Sequence, residues 1–261
     1  MGLALASGLI AASVPPERLA ISDPNPDKRH QAQALGLTIE PHNDALIERT
    51  DLLVLAVKPQ SLHALCRAIA PAVRRRRPLV ISVAAGARAA DIDRWLGEEQ
   101  AIVRAMPNTP ALIRAGVSVL FANDRVTKEG RGAAETVLKA VSEVFWITDE
   151  ALMDAVTAVS GSGPAYLFLF LEALTQAGIA AGLPHDLCTA LAMETALGAA
   201  RMAKASPEDV ALLRARVTSP GGTTEQAIQS LLGDGFMGMF TRAISAATTR
   251  SQELGRQLGT F

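Results

Sequence analysis

Cysteine is scarce in this sequence. Cys66 and Cys188 are the only two, far apart, in segments that read as helical and with no metal-ligand spacing around them. That pattern excludes a disulfide framework and a zinc site, and it points to a reduced, cytoplasmic protein with no metal. Histidine is also sparse: His30, His42, His63 and His185 are scattered in surface or capping contexts rather than gathered for catalysis or metal binding. Charge of either sign is nearly absent in the balance, since 25 basic and 26 acidic residues leave a net charge of −1. No general attraction to nucleic acid or to an anionic membrane follows. The one basic block, Arg74 to Arg77, lies between a helical pattern and a strand, where four like charges suit a helix C-terminus facing water. Long apolar runs are missing too. The longest, Ala165 to Leu171, is stopped by Glu172, too soon to span a bilayer, and no signal peptide precedes the first helix.

What is present is a sizeable apolar complement, 49% of 261 residues, enough for a core that divides in two. After an opening helix from Met1 to Ala12, strand and helix alternate. The strand readings are Ala20 to Asp23, Thr38 and Ile39, Leu52 to Val57, Leu79 to Val83, Ala101 to Met106, Val117 to Phe121 and Val144 to Thr148. Such alternation predicts a Rossmann-like, doubly wound parallel α/β sheet over residues 1–148. Two prolines in Pro107-Asn-Thr-Pro110 predict a rigid non-helical loop. From Asp149 the strand signals stop and Ala, Leu and Gly take over with helical spacing, so residues 149–261 read as a separate all-α domain. Pro164, Pro184 and Pro207 stand where first-turn prolines belong. The helix from Pro164 to Ala181 is apolar on nearly every face through Leu171, so it requires a partner beyond its own bundle, most simply a second copy of the chain.

In a doubly wound sheet the ligand gathers at the carboxyl ends of the strands. Val57 and Lys58 then lie at the nicotinamide half of a dinucleotide, and Ala84, in Ala84-Ala85-Gly86, allows its close approach. Asp23 can accept hydrogen bonds from a ribose, favouring NADH, whereas Ser22, Asn25, Lys28 and Arg29 can receive a 2′-phosphate, favouring NADPH. Turn and capping chemistry explains Asp23 and Asn25 equally well, so both cofactors stay open, with NADPH the working choice. Lys58 is either an acid or a counter-charge.

The most informative stretch is Val217-Thr-Ser-Pro-Gly-Gly-Thr-Thr224, leading into a helix from Glu225 to Leu232. Thr223 and Gln226 have capping-box spacing, and Gly221 and Gly222 let backbone N–H groups face outward at a helix start, which suits a small anion such as a carboxylate. Ser219 and Thr224 add hydroxyls. A well-capped helix without a ligand fits the same octapeptide.

Taken with Ser160-Gly-Ser-Gly-Pro-Ala-Tyr166, Ala56-Val-Lys-Pro59 and Met106-Pro-Asn-Thr-Pro110, this stretch resembles the pyrroline-5-carboxylate reductases, in the same order and from Met1 to about Gly255. The resemblance implies NAD(P)H-dependent reduction of 1-pyrroline-5-carboxylate to proline by a homodimer, often built into a larger ring. It implies substrate contacts at Ser219, Gly221, Gly222, Thr223, Thr224 and Glu150, with the Thr224 hydroxyl on the ring nitrogen. Cofactor contacts are implied at Asn43, Ala56, Val57, Lys58, Pro59, Ala84, Met106 and Asn108. Met1-Gly2 looks like the tail of the family's glycine-rich fingerprint, with Gly2 its third glycine. The first strand and two phosphate-facing glycines are not in the sequence, so the chain as written is expected to bind dinucleotide poorly. Arg216 departs from relatives that carry a small amide there.

Rivals are a β-hydroxyacid dehydrogenase or imine reductase of the same architecture, and a dimeric scaffold that has lost its cofactor. The dehydrogenase needs a lysine on the long interdomain helix, and Pro164 to Ala181 has none. Ser160-Gly-Ser-Gly163 lacks a nucleophile elbow and reads as a flexible turn and cap.

Overall fold

The computed structural model describes residues 1–260 and forms two compact units, Met1–Ser162 with the stretch from Ala246 onward, and Gly163–Ser245. Phe261, the last residue of the expected helical domain, lies outside the described residues.

The first unit opens with helix α1 (Gly2–Ala11), then strand β1 (Ala20–Ile21), α2 (Pro26–Ala34), β2 (Thr38–Ile39), α3 (Asn43–Glu48), β3 (Leu52–Leu55) and α4 (Pro59–Arg76). It continues through β4 (Leu79–Ser82), α5 (Ala89–Leu96), β5 (Ile102–Pro107), β6 (Gly116–Ala122), α6 (Lys128–Lys139), β7 (Ser142–Trp146) and the short α7 (Met153–Val156). Strands β1 and β2 pair in parallel as a sheet of their own, and β3-β4-β5-β6-β7 form a five-stranded sheet in sequence order. Parallel pairing holds for β3–β4, β4–β5 and β6–β7, but β5 and β6 run antiparallel, with Ala105 opposite Leu120. The all-parallel expectation is corrected at that step. The Asn108–Ala115 link is too short for a crossover helix, so the chain can only turn back.

Both sheet faces are apolar, as a doubly wound sheet requires. Successive residues point to opposite sides. On one side Leu53, Leu55, Val80 and Ile102 pack with Leu62, Cys66, Ile69 and Val73 of α4 and with Ile92, Trp95 and Leu96 of α5. On the other, Ile81, Val103, Ala105 and Leu120 meet Leu5 of α1 and Ala134 and Leu138 of α6. Leu258 joins the first cluster from the end of the chain. The basic block is exposed, and three of its four arginines are paired: Arg75 with Glu48 at 2.5 Å, Arg76 with Asp51, and Arg77 with Glu99 at 3.2 Å. Such surface pairs contribute about 1 kcal/mol or less each.

Two local readings change. Residues Thr109–Ile113 form a 3₁₀ turn, because Pro110 sits in its first turn, where its missing N–H costs nothing. Residues Thr157–Gly161 are a π-helical turn that runs on as helix, so the Ser-Gly-Ser-Gly segment is no open loop. Its Ser160 hydroxyl donates to the Val156 carbonyl at 3.0 Å.

The second unit is helical: α8 (Gly163–Ala180), α9 (His185–Ala205), α10 (Val210–Arg216), α11 (Thr223–Gly233) and the first part of α12 (Phe236–Gly259). Pro164 lies in the first turn of α8, whereas Pro184 is the N-cap residue of α9. Pro207 precedes α10, which Asp209 caps by accepting from the Ala211 N–H at 2.7 Å. Helix α8 packs on α9, closely at Gly178, where a Cβ would stand 2.9 Å from the Cys188 sulfur. No residue of α8 is buried, and Leu167, Phe168 and Leu169 are each more than 60% exposed, at 63%, 65% and 64%.

Candidate functional site

At the carboxyl edge of the large sheet, β3 is followed by Ala56-Val57-Lys58, and Lys58 is the N-cap residue before Pro59 opens α4. Ala56 and Lys58 are exposed; Val57 and Pro59 are half-buried. A Cβ on Gly2 would stand 3.3 Å from the Ala56 Cβ, so the start of α1 crosses the end of β3 about as closely as glycine permits. No side chain caps α1, which leaves its first-turn N–H groups open. Beyond β4, Ala84 is buried at 7% and Gly86 adopts φ +81°. An uncapped helix start beside strand ends with small side chains at Gly2, Ala56 and Ala84 fits a dinucleotide.

At the end of β1, the Asp23 carboxylate accepts from the Asn25 N–H at 2.8 Å, and Asn25 caps α2 by accepting from Asp27 at 2.8 Å and Lys28 at 3.4 Å. Both side chains thus have local structural work. Ser22 is half-buried and Lys28 exposed, its ammonium 3.4 Å from Gln31 Oε1. Arg29 is anchored on the carbonyls of Asp23 and Pro24 at 2.8 and 2.9 Å. Asn43 is exposed and is the first helical residue of α3, whose cap position belongs to His42.

Met106 and Asn108 lie where β5 meets the π-helical turn. The Asn108 amide donates to the Ser160 carbonyl at 3.1 Å and accepts from the Val117 N–H at 3.0 Å. Its two ends are therefore engaged in the protein. The methyl of Met106 occupies the space a Cβ on Gly161 would need.

The start of α11 differs from the capping box expected of Thr223 and Gln226. Gly222 is the N-cap residue and Thr223 already helical, so no threonine side chain caps the helix. Instead Glu225 reaches back, and its carboxylate accepts from the Gly221 N–H at 2.7 Å. The Gly222 N–H donates to the Ser219 carbonyl at 3.0 Å. Gly221 and Gly222 are corrected from donors to shape: at φ +69°, Gly221 makes the bend that a side chain would resist. The outward donors are then the N–H groups of Thr223 and Thr224, first-turn groups with no intrahelical acceptor. Ser219, Thr223 and Thr224 are exposed. Arg216 pairs with Glu208 at 2.6 Å.

Glu150 opens a 3₁₀ turn after β7, and one of its oxygens accepts both from the Ala89 N–H, at 2.7 Å, and from Arg104 of β5, also at 2.7 Å. The Arg104 side chain is 9% exposed and that of Glu150 24%. With Gly86, Arg88, Asp154 and Arg256 they border an open cleft of about 390 Å³. Asp91, 1% exposed, holds Arg88 at 2.7 Å and Arg94 at 3.1 Å, and the hydrogen bond from Arg88 to Asp91 lifts the Arg88 pKa above its ordinary value. The sequence reading passed over Arg104; a charge inside an otherwise apolar strand was the available signal. A larger cavity, about 640 Å³ and bordered by Phe168, Leu171, Ile179 and Met193, lies wholly in the second unit and carries none of the predicted site residues.

The chain matches the family model for pyrroline-5-carboxylate reductase dimerisation over residues 150–254, and that for NADP oxidoreductase, coenzyme F420-dependent, over residues 1–86. It is 45% identical over 260 residues to a pyrroline-5-carboxylate reductase of Pseudomonas aeruginosa, covering 99% of this chain and 95% of the relative. It is 37% identical to one from Pisum sativum, covering 97% and 92%. Among solved structures it resembles a pyrroline-5-carboxylate reductase from Coxiella burnetii, with TM-score 0.92 and 40% identity over 97% of this chain and 94% of that one. It also resembles a Plasmodium falciparum pyrroline carboxylate reductase with NADP bound, with TM-score 0.87 and 32% identity over 98% and 94%.

Proposed function

The chain belongs to the pyrroline-5-carboxylate reductase family, and we infer that it reduces 1-pyrroline-5-carboxylate to proline with NADPH as cofactor. The observation that carries this reading is the likeness along nearly the whole chain, with both units represented. The bound cofactor supplies the hydride; the protein binds, orients and excludes water.

In this reading residues 1–148 receive the cofactor, and the substrate and dimer contacts fall within 149–261, of which 149–162 and the stretch from 246 onward belong to the first compact unit. The open start of α1 at Gly2, the strand end Ala56-Val57-Lys58-Pro59 and the small residue Ala84 take the dinucleotide, with Ser22, Lys28 and Asn43 toward its far end. Lys58, exposed and unburdened by a capping bond, is a counter-charge rather than a proton donor. No obligatory acid is needed, because an imine nitrogen of this kind is basic enough to be protonated near neutral pH. The Thr223 and Thr224 N–H groups and the Ser219 hydroxyl hold the substrate carboxylate. The Thr224 hydroxyl orients the ring nitrogen. The first-turn geometry of α11 supports those roles.

The unburied apolar helix α8 supports a homodimer, and assembly of such dimers into a larger ring is part of the same proposal. No described helix is long and apolar enough to cross a membrane, and the biosynthetic reaction suits the cytoplasm. The direct test mixes purified protein with NADPH and 1-pyrroline-5-carboxylate, follows loss of reduced-nicotinamide absorbance, and identifies proline by mass spectrometry. Absence of substrate-dependent NADPH oxidation refutes the assignment.

A further inference from the structure

We propose that Glu150 is a positioning residue for the cofactor loop, acting through Ala89 and Arg104, and not a substrate contact. The proposal rests on the reading above that the loop between β4 and α5, residues 83–88, receives the dinucleotide.

That loop is braced at both ends. At its start the Ala84 N–H donates to the Ser82 hydroxyl at 3.4 Å. At its end the Ala89 N–H, the first of α5, donates to Glu150 at 2.7 Å. The same oxygen takes Arg104 at 2.7 Å, and Arg104 lies opposite Ser82 in the β4–β5 ladder. One carboxylate thus links the strand beside the loop to the helix that follows it. Midway, Gly86 turns at φ +81° and its backbone lies against Gly255 of α12.

The charge on Glu150 is matched by a side chain only 9% exposed, and the oxygen that faces the protein already has two donors. A substrate ammonium or iminium competing for it would strand a buried guanidinium, which is costly. Removing the carboxylate, by contrast, frees the first turn of α5 and unseats Arg104 beside Ser82. The cofactor loop is what loses definition.

Two variants separate the roles. Glu150→Gln keeps the shape and an oxygen facing Ala89 but exchanges a charge-assisted bond to Arg104 for a neutral one. Glu150→Ala with Arg104→Met removes both partners, so no buried charge is left alone. The NADPH Kd, read by fluorescence titration without substrate, is expected to rise about fivefold for Glu150→Gln and about tenfold or more for the double variant. The KM for 1-pyrroline-5-carboxylate at saturating NADPH is expected to stay within about twofold. In a Trp146→Phe background, emission from the buried Trp95 of α5 is expected to shift to the red in both variants. A Glu150→Gln protein with wild-type NADPH affinity overturns the proposal whatever the double variant does. A raised substrate KM with unchanged NADPH Kd restores Glu150 to the substrate site. If the wild-type protein binds NADPH but does not reduce the substrate, the functional assignment fails while the titration still decides the role of Glu150; if it binds no NADPH, the proposal falls with the loop reading.

Discussion

Replacing Gly255 with alanine isolates one contact. An ideal Cβ there stands 2.9 Å from the Gly86 carbonyl oxygen, where ordinary contacts begin at 3.4 Å, so the backbones must part by about half an ångström (3.4 less 2.9). Neither side yields easily, since Gly255 is inside α12 and Gly86 is held at φ +81° in a tight loop. Overpacking of this kind costs about 1–3 kcal/mol. The same change gains about 1 kcal/mol of helix propensity. The net expectation is roughly 1 kcal/mol of lost stability, a fall in Tm of about 2–4 °C at this chain size. Gly132→Ala is the internal control. Gly132 is exposed in α6 with nothing within 4 Å of the added carbon, so only the propensity gain of about 1 kcal/mol applies and Tm rises. Thermal unfolding of both variants at one protomer concentration, with NADPH titrations alongside, reads the difference. Weaker NADPH binding is expected for Gly255→Ala alone. Equal rises in Tm for the two variants, with NADPH affinity unchanged, would refute the proposed contact.

Thr224→Ala is expected to lower turnover by about 1–3 kcal/mol in activation free energy with the NADPH KM unaltered; steady-state kinetics at wild-type turnover would remove Thr224 from the site. Phe168→Asp puts a charge on the most exposed aromatic of α8, at 65%, and should give a monomer in sedimentation at a cost above about 3 kcal/mol to association; an unchanged sedimentation coefficient would free that face from the interface. Burial raises the Cys66 pKa from 9.0 to about 12, so the native thiol should resist a thiol reagent at pH 8 until denaturant is added. The unfolded chain loses that proton above pH 9.0 while the folded chain keeps it to about 12, so Cys66 stability is intact below 9.0 and declines as pH rises through that window, by up to about 1.4 kcal/mol per unit. Denaturant titrations of wild type and Cys66→Ala should differ in that slope; parallel curves would exclude the effect.

The sheet was legible because its strands carry apolar residues for both faces, as Val80 and Ile81 illustrate by serving opposite clusters. The reversal at β5–β6 was legible in principle from the length of the link, but the regular alternation around it suggested another crossover. At α11 the spacing of Thr223 and Gln226 suggested a threonine cap, and nothing local says that Gly222 takes the cap position while Glu225 turns back to the Gly221 N–H. Glu150 shows the larger limit. Its partners lie 61 and 46 residues earlier, so the residues around Glu150 disclose nothing of the bond to Ala89 or to Arg104. The Asn108 amide is similar, since its acceptor at Ser160 is 52 residues away.

Leu258 and Gly255, near the carboxyl terminus, pack against residues from the first half of the chain, and Ser251 donates to Asp154 at 2.6 Å. During synthesis the first unit therefore stays unfinished until the second part of α12 has been made. Nascent chains stalled before Ala246 should remain protease-sensitive around Gly86, and release of the last turns of α12 should be the event that closes them.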